Sequence, residues 1–321
     1  MSQMQARTES HTAAGITLGV IAFGWWGMFP LYLRALHPAS ANEILAHRVA
    51  WAAVFLTVLA AARFQIRAVL QLLLETRTLV LLSASTVLIA VNWWVYTWAV
   101  NSNHVLQASL GYYLNPLVNV LLGFVFLRER LRRVQWIAVA VAFTGVGFLI
   151  ARMLEQTLGG AASDAGRPTL LVTFIPLVLA LSFGMYGLLR KVASVDSVNG
   201  LTLETVLLAP LCFAYILHEY RQASSTFLTH GFTAHDALLV GSGAVTAVPL
   251  LCFTAAARRL RLATLGMIQY IAPTGQFLLA VFRFGEQFTT AHKVAFACIW
   301  TAVALYSLDA WRASRPGLKA Q

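Results

Sequence analysis

Charge is what this sequence has least of. Only 11% of its 321 residues are Asp, Glu, Lys or Arg, against about 25% in an ordinary soluble domain, while 59% are apolar. A soluble fold of this length could not hide so much hydrocarbon without exposing large patches. Carboxylates are the scarcest charges: 12 Asp and Glu stand against 23 Lys and Arg, a formal net charge of +11. Cysteine is scarce too. Cys212, Cys252 and Cys298 all fall inside apolar runs without C-x-x-C spacing, which excludes a disulfide framework and reads as small buried side chains. The motifs G-x-x-x-x-G-K-[ST], H-E-x-x-H and G-x-S-x-G are absent, which argues against a nucleotide-driven pump, a zincin and a serine hydrolase with a nucleophile elbow. Long polar stretches are missing as well. The two longest loops, 153–168 and 219–235, cannot hold a soluble output domain of the kind a receptor needs.

What is present is a series of apolar runs, each near the ~20 residues that cross a bilayer. About ten can be marked, at roughly 13–35, 43–62, 78–100, 104–126, 134–152, 169–189, 200–218, 236–257, 262–283 and 291–311. The first run is too long for a signal-peptide core and reads as a retained helix behind the polar Met1–Thr12 stretch. The basic residues lie between the runs and act as topology signals; no zinc-finger spacing or recognition-helix pattern makes them a nucleic-acid surface. With the N-terminus in the cytoplasm, 16 of the 23 Lys and Arg fall on the inner side, which predicts both termini inside and an even helix count.

The chain also repeats itself. Residues 85–146 laid on 242–303, a shift of 157, match at Ser85/Ser242, Thr97/Thr254, Tyr113/Tyr270, Pro116/Pro273 and Glu129/Glu286, among others. Phe23-Gly24-x-x-Gly27 resembles Phe183-Gly184-x-x-Gly187 at a shift of 160. Each repeat then holds five helices. Five is odd, so the second half enters the membrane from the opposite side. The expected fold is an all-α polytopic membrane protein: a five-helix repeat over 1–152, an extracytoplasmic linker over 153–168 and a second, inverted repeat over 169–321. Inverted repeats suit alternating access, because exchanging the conformations of the halves turns an outward-open protein inward-open.

Several stretches together resemble one family. They are Glu43-Ile44-Leu45-Ala46-His47-Arg48, Asn92-Trp93, the run from Ala108 through Tyr112-Tyr113-Leu114-Asn115-Pro116 to Asn119, Glu204-Thr205, and Val248-Pro249 through Ala257 followed by Arg259-Leu260-Arg261. In these the chain resembles the EamA-type branch of the drug/metabolite transporter superfamily, closest to its RarD subgroup, over nearly its whole length. The resemblance implies ten helices around a central cavity and the export or exchange of small organic molecules: amino acids, metabolites or chloramphenicol-like drugs. It implies no cofactor and no partner beyond substrate, membrane lipid and, for a homodimer rather than a monomer, a second copy.

A transport site needs polar groups at mid-membrane and helix breaks that expose backbone. Pro116 and Pro273 occupy equivalent places and each frees the carbonyl four residues earlier, at Tyr112 and Gln269. Pro249 is a third candidate break. Tyr112, Asn115 and Asn119 share one helical face, as do Gln269, Pro273 and Gln276, with Tyr270 beside them. Such faces either line a polar cavity or hydrogen-bond between helices. Asn92, Tyr96, Trp25, Trp93 and Tyr186 could stack on or bind a flat substrate, or pack the core. For coupling or gating the candidates are Glu43, His47, Arg48 and Glu204; His47 and Glu204 fall on each other under the shift of 157. Their alternative is interfacial placement with local ion pairs such as Glu43 with Arg48. Glu129 and Glu286 read as ion-pair residues at helix ends. The expected activity is secondary transport, proton-coupled or facilitative. The alternatives are an intramembrane enzyme, disfavoured because no two membrane-depth carboxylates pair up, and a channel-like protein.

Overall fold

The computed structural model describes residues 2–128, 131–158, 170–193, 195–257, 259–260 and 267–314. Its helices are α1 (Ser2–Ala35), α2 (Ala41–Ala62), α3 (Ile66–Leu74), α4 (Thr76–Asn101), α5 (Val105–Leu127), α6 (Arg133–Leu158), α7 (Leu170–Ala193), α8 (Ser197–Arg221), α9 (Ala234–Ala257), α10 (Ile271–Leu278) and α11 (Thr290–Ser314). Among the described residues there is no strand, and nine helices are long and apolar enough to cross a membrane: α1, α2, α4 to α9 and α11. Of the run expected at 262–283, the described part is the short α10, which widens into a π-helical turn over Leu279–Arg283. Residues 153–158, expected in a linker, continue α6 instead. Glu129 lies outside the described residues.

Local chemistry sets the helix starts. The Ser40 hydroxyl accepts the Glu43 N–H at the head of α2, and Asp196 accepts the Val198 N–H at the head of α8. Thr233 and Asp236 form a reciprocal capping box before α9: Asp236 N–H donates to the Thr233 hydroxyl, and the Asp236 carboxylate accepts the Thr233 N–H. Asn103 makes the tight turn between α4 and α5 at φ 60°, a left-handed conformation that Asn tolerates better than most residues. Helix α3 is an element the apolar-run reading left as loop. It is too short to span, and it buries Val69 against Ala60, Leu82 and Leu203 while Leu70 and Leu74 remain exposed.

The long helices pack in a definite pattern. Helix α1 lies against α9 and α10, α2 against α8 and α9, α7 against α4 and α5, and α6 against α11; α4 also touches α8, and α5 touches α10. Directions follow from paired contacts. Trp25 meets Val245 and Tyr32 meets Leu238, so α1 and α9 are antiparallel. Phe29 stacks on Tyr96 and Arg34 reaches Asn103, so α1 and α4 run the same way. Gly111 faces Pro176 and Leu179, and Val118 faces Gly184, so α5 and α7 run parallel.

The helix breaks expected at Pro116 and Pro249 are not there: α5 and α9 run through them without interruption. A proline removes one N–H from the ladder, and a transmembrane helix packed on its neighbours absorbs that loss. Before Pro273 the chain does break, in a turn at Gln269–Tyr270, where the Gln269 carbonyl accepts the Ala272 N–H.

Close approach of backbones depends on glycine in this bundle. A Cβ added at Gly243 of α9 would overlap the Trp51 backbone of α2, which cannot rotate away. Gly243→Ala should therefore lower the melting temperature of the purified protein, by the ~1–3 kcal/mol typical of overpacking. Gly147→Ala, with nothing within 4 Å of the added carbon, should leave it unchanged or raise it.

Candidate functional site

Among the described residues, buried polar side chains of the bundle interior form a central cluster and one at each end. The central one is built on Arg48 of α2, which is only 4% exposed. Its Nε donates to the Thr246 hydroxyl of α9 at 3.3 Å and its Nη1 to the Thr97 hydroxyl of α4 at 2.9 Å. The guanidinium carbon sits 4.8 Å from the Phe29 ring centre and 5.5 Å from that of Trp93, within cation–π range. The tyrosines Tyr32, Tyr96 and Tyr112 lie close enough to feel its charge. Tyr96 stacks near Phe29 and lies 5.4 Å from the Tyr112 ring, and its buried hydroxyl finds no hydrogen-bond partner among the described residues. Trp25, Phe29 and Tyr32 fall at i, i+4 and i+7 on α1, one helical stripe. Trp25 is 47% exposed, so the stripe joins the buried guanidinium to an exposed ring.

Beside this cluster the Asn92 amide ties three helices together. Its Nδ2 donates to the Leu179 carbonyl and the Ser182 hydroxyl of α7, both at 3.0 Å, and its Oδ1 accepts from the Tyr112 hydroxyl of α5 at 3.2 Å. Tyr270 stacks on Tyr113, whose hydroxyl bonds Thr274. Gln276 donates to the Trp26 carbonyl of α1, which leaves its buried Oε1 without a partner among the described residues. Asn115 Oδ1 is likewise buried and unpartnered, Asn119 is exposed, and Gln269 sits in the turn before α10.

One end of the bundle, where α1 finishes, is closed by a strap over 222–233. Glu43 does not pair with Arg48. Its carboxylate instead accepts the Ser225 hydroxyl at 2.8 Å and the Thr226 N–H at 2.7 Å. His47 faces Phe227 with ring centres 4.6 Å apart, and its Nδ1 accepts from the Trp51 indole N–H at 3.0 Å. Asp236 accepts the Leu228 N–H, and Thr226 bonds His235. Glu286 turns out to be a helix cap rather than an ion-pair residue: its two oxygens accept the Val105 and Leu106 N–H groups at the head of α5, each at 2.8 Å, a charge-assisted contact at the positive end of the helix dipole. Burial pushes its carboxyl above the ordinary range, against the opposing pull of those two N–H groups and of Arg34. Burial also lowers the nearby His104.

The opposite end holds Glu204 of α8, 1% exposed. It accepts from the Ser85 hydroxyl of α4 and, at 3.2 Å, from the Tyr186 hydroxyl of α7, with Arg190 Nη1 at 3.7 Å. Nearby a cleft of about 440 Å³ opens between α2, α8 and α9, bordered by Arg63, Asp196, Thr254 and Arg259. The structure thus brings Trp93, Tyr96 and Tyr112 together with Arg48, and Tyr186 with Glu204. It separates Glu43 and His47 from Arg48, although they are its neighbours in sequence. Thr246, Phe29, Tyr32 and Arg190 were missed as site residues. Thr97 and Ser85 had a sequence sign, their matches to Thr254 and Ser242 in the repeat.

Removing the Glu43 carboxylate should loosen the strap. In Glu43→Ala, backbone hydrogen exchange across residues 222–233 should quicken about tenfold or more, as expected for losing a hydrogen bond to a charged group. Exchange in α5 should not change.

Several known proteins are similar. The EamA-like transporter family matches residues 13–151. A protein of Vibrio cholerae described as an uncharacterized transporter is 42% identical over 98% of each chain. The protein RarD of Escherichia coli is 41% identical over 94% of this chain and 96% of its own. A solved crystal structure, 20% identical, aligns over 94% of this chain and 99% of that one with a TM-score of 0.57, a likeness of fold. With its apolar helices and these relatives, this multi-pass membrane protein belongs to the EamA-like transporter family, in its RarD subgroup.

Proposed function

We propose that the chain is a secondary transporter that moves small organic molecules across the bacterial inner membrane by alternating access between two inverted five-helix halves, 1–152 and 169–321. One observation carries this reading: the largest helix contacts between the halves recur when the halves are exchanged. Swapping α1 with α7, α2 with α8, α4 with α9, α5 with α10 and α6 with α11 turns α1–α9 into α7–α4, α1–α10 into α7–α5, and α2–α9 into α8–α4. Every one of these pairs packs. The match extends to residues: Leu179 against Gly111 has its counterpart in Gly19 against Ile268, related by the same shifts of 160 and 157 that align the sequences. Because α1 runs with α4, and α7 runs with α5 in the return direction, α1 and α7 point oppositely, as inverted repeats require.

The unequal ends support the same reading. The strap closes the end where α1 finishes, and the cleft at Arg63 and Arg259 opens the other. The excess of Lys and Arg favours a cytoplasmic position for that second end and for both termini. Glu204, bonded by the Ser85 and Tyr186 hydroxyls with Arg190 Nη1 at 3.7 Å, is the candidate proton carrier of this protein. No residue is given a covalent role in turnover, and no cofactor enters.

Topology and transport can be tested apart. A cysteine at Gly160 should react with a membrane-impermeant maleimide from the periplasmic side, and one at Ser10 only after permeabilisation; reaction of both from one side would end the inverted arrangement. In proteoliposomes, Glu204→Gln should keep counterflow of a labelled substrate but lose uphill accumulation driven by a pH gradient. Unchanged accumulation would remove Glu204 from coupling.

A further inference from the structure

The buried guanidinium of Arg48 lacks a counter-ion. Among the described residues no carboxylate comes within ion-pair distance of it, and the buried carboxylates are engaged elsewhere. Glu43 holds the strap, Asp236 caps α9 and Glu204 binds Ser85 and Tyr186. Two threonine hydroxyls and two aromatic faces satisfy part of the guanidinium. They do not neutralise it, and burying a whole charge costs far more than neutral hydrogen bonds return. At membrane depth such a group is retained for an ion it meets during function.

The surroundings narrow that ion. The guanidinium is planar and matches a carboxylate or phosphate with paired N–H groups. Among the described residues the cluster holds one cation. Arg34 lies over Phe284 and donates to Asn103, and Arg190 faces Glu204. The position related to Arg48 by the repeat is Thr205, so the second half adds no charge. One guanidinium balances one carboxylate; a phosphate dianion or a dicarboxylate would leave charge uncompensated in a buried site. The unpartnered Tyr96 hydroxyl is a further donor near Arg48. The stripe from Tyr32 and Phe29 to half-exposed Trp25 supplies an apolar wall leading outward.

We propose that Arg48 binds the carboxylate of a small organic monocarboxylate, whose apolar body lies along the Trp25–Phe29 stripe. This rests on the transport reading and names the substrate class of that site. It also gives the bound anion a mechanical role. The Arg48–Thr246 bond joins α2 of the first half to α9 of the second, so an anion that takes over the guanidinium's donors weakens a contact between the halves.

The test compares matched pairs on the purified full-length protein: benzoate with benzamide, phenylacetate with phenylacetamide, hexanoate with hexanamide, and inorganic phosphate. Ligand binding raises the melting temperature with concentration. At least one acid should stabilise the protein while its amide does not, and phosphate should have no effect. Arg48→Gln should abolish that shift, or weaken apparent affinity about tenfold or more, and without ligand should melt no lower than the wild type, because a neutral side chain avoids the desolvation cost. Arg48→Lys should retain part of the shift. Equal stabilisation by acids and amides, no stabilisation by any acid, a larger effect of phosphate, or a shift that survives in Arg48→Gln would each overturn the assignment. The wild-type comparison decides even if the variants fail to fold. Counterflow of the same acids is measured separately. Binding through Arg48 without counterflow would count against transport and leave the site standing; counterflow of neutral solutes alone would do the reverse.

Discussion

Hydrocarbon offers no hydrogen bonds, and much of this molecule follows from that. Each polar group carried into the bilayer must be satisfied by another part of the protein or by something the protein binds. Asn92 does this across three helices, linking α4 to α7 and α5. Glu204 does it with two hydroxyls from α4 and α7. These contacts cost specificity of placement: each needs its partner on a neighbouring helix at one height, which pins the register of helices whose apolar faces would otherwise slide against one another.

The same constraint accounts for the difference between the two ends. At the closed end the carboxylates are used as backbone acceptors. Glu43 takes a strap N–H, Asp236 takes the capping N–H groups before α9, and Glu286 takes the first two N–H groups of α5. These are strong, directional contacts that hold loops to helices from different parts of the chain. At the cleft end the buried acid faces hydroxyls and an arginine at the longer distance of 3.7 Å. Arg48 lies between the two ends, bonded to Thr97 of α4 and Thr246 of α9.

Much of the architecture was legible in the sequence. Apolar runs placed nine spanning helices within a few residues. Helix α3 was not legible, since nine residues are too few to leave a hydropathy signal and its helicity depends on burying Val69 against α2, α4 and α8. The prolines misled in part. Pro116 and Pro249 promised breaks, yet neighbouring helices carry α5 and α9 straight through them. The site was half legible: Trp93, Tyr96, Tyr112 and Arg48 stood out as rare polar or aromatic residues in apolar runs, but Thr246, Phe29 and Tyr32 look like any other membrane residues until α1 and α9 are set against α2.

The sequence by itself determined that this chain is a multi-pass membrane protein and how its helices are spaced, because those properties depend on composition and periodicity along the chain. Only the tertiary structure decided the partners of the few charges. Glu43, His47 and Arg48 are neighbours in the sequence and on one helix, yet a helix turns 100° per residue, so Glu43 and His47 meet the strap while Arg48 enters the interior. Which of them would be left without a counter-ion depended on what the other helices brought to each face.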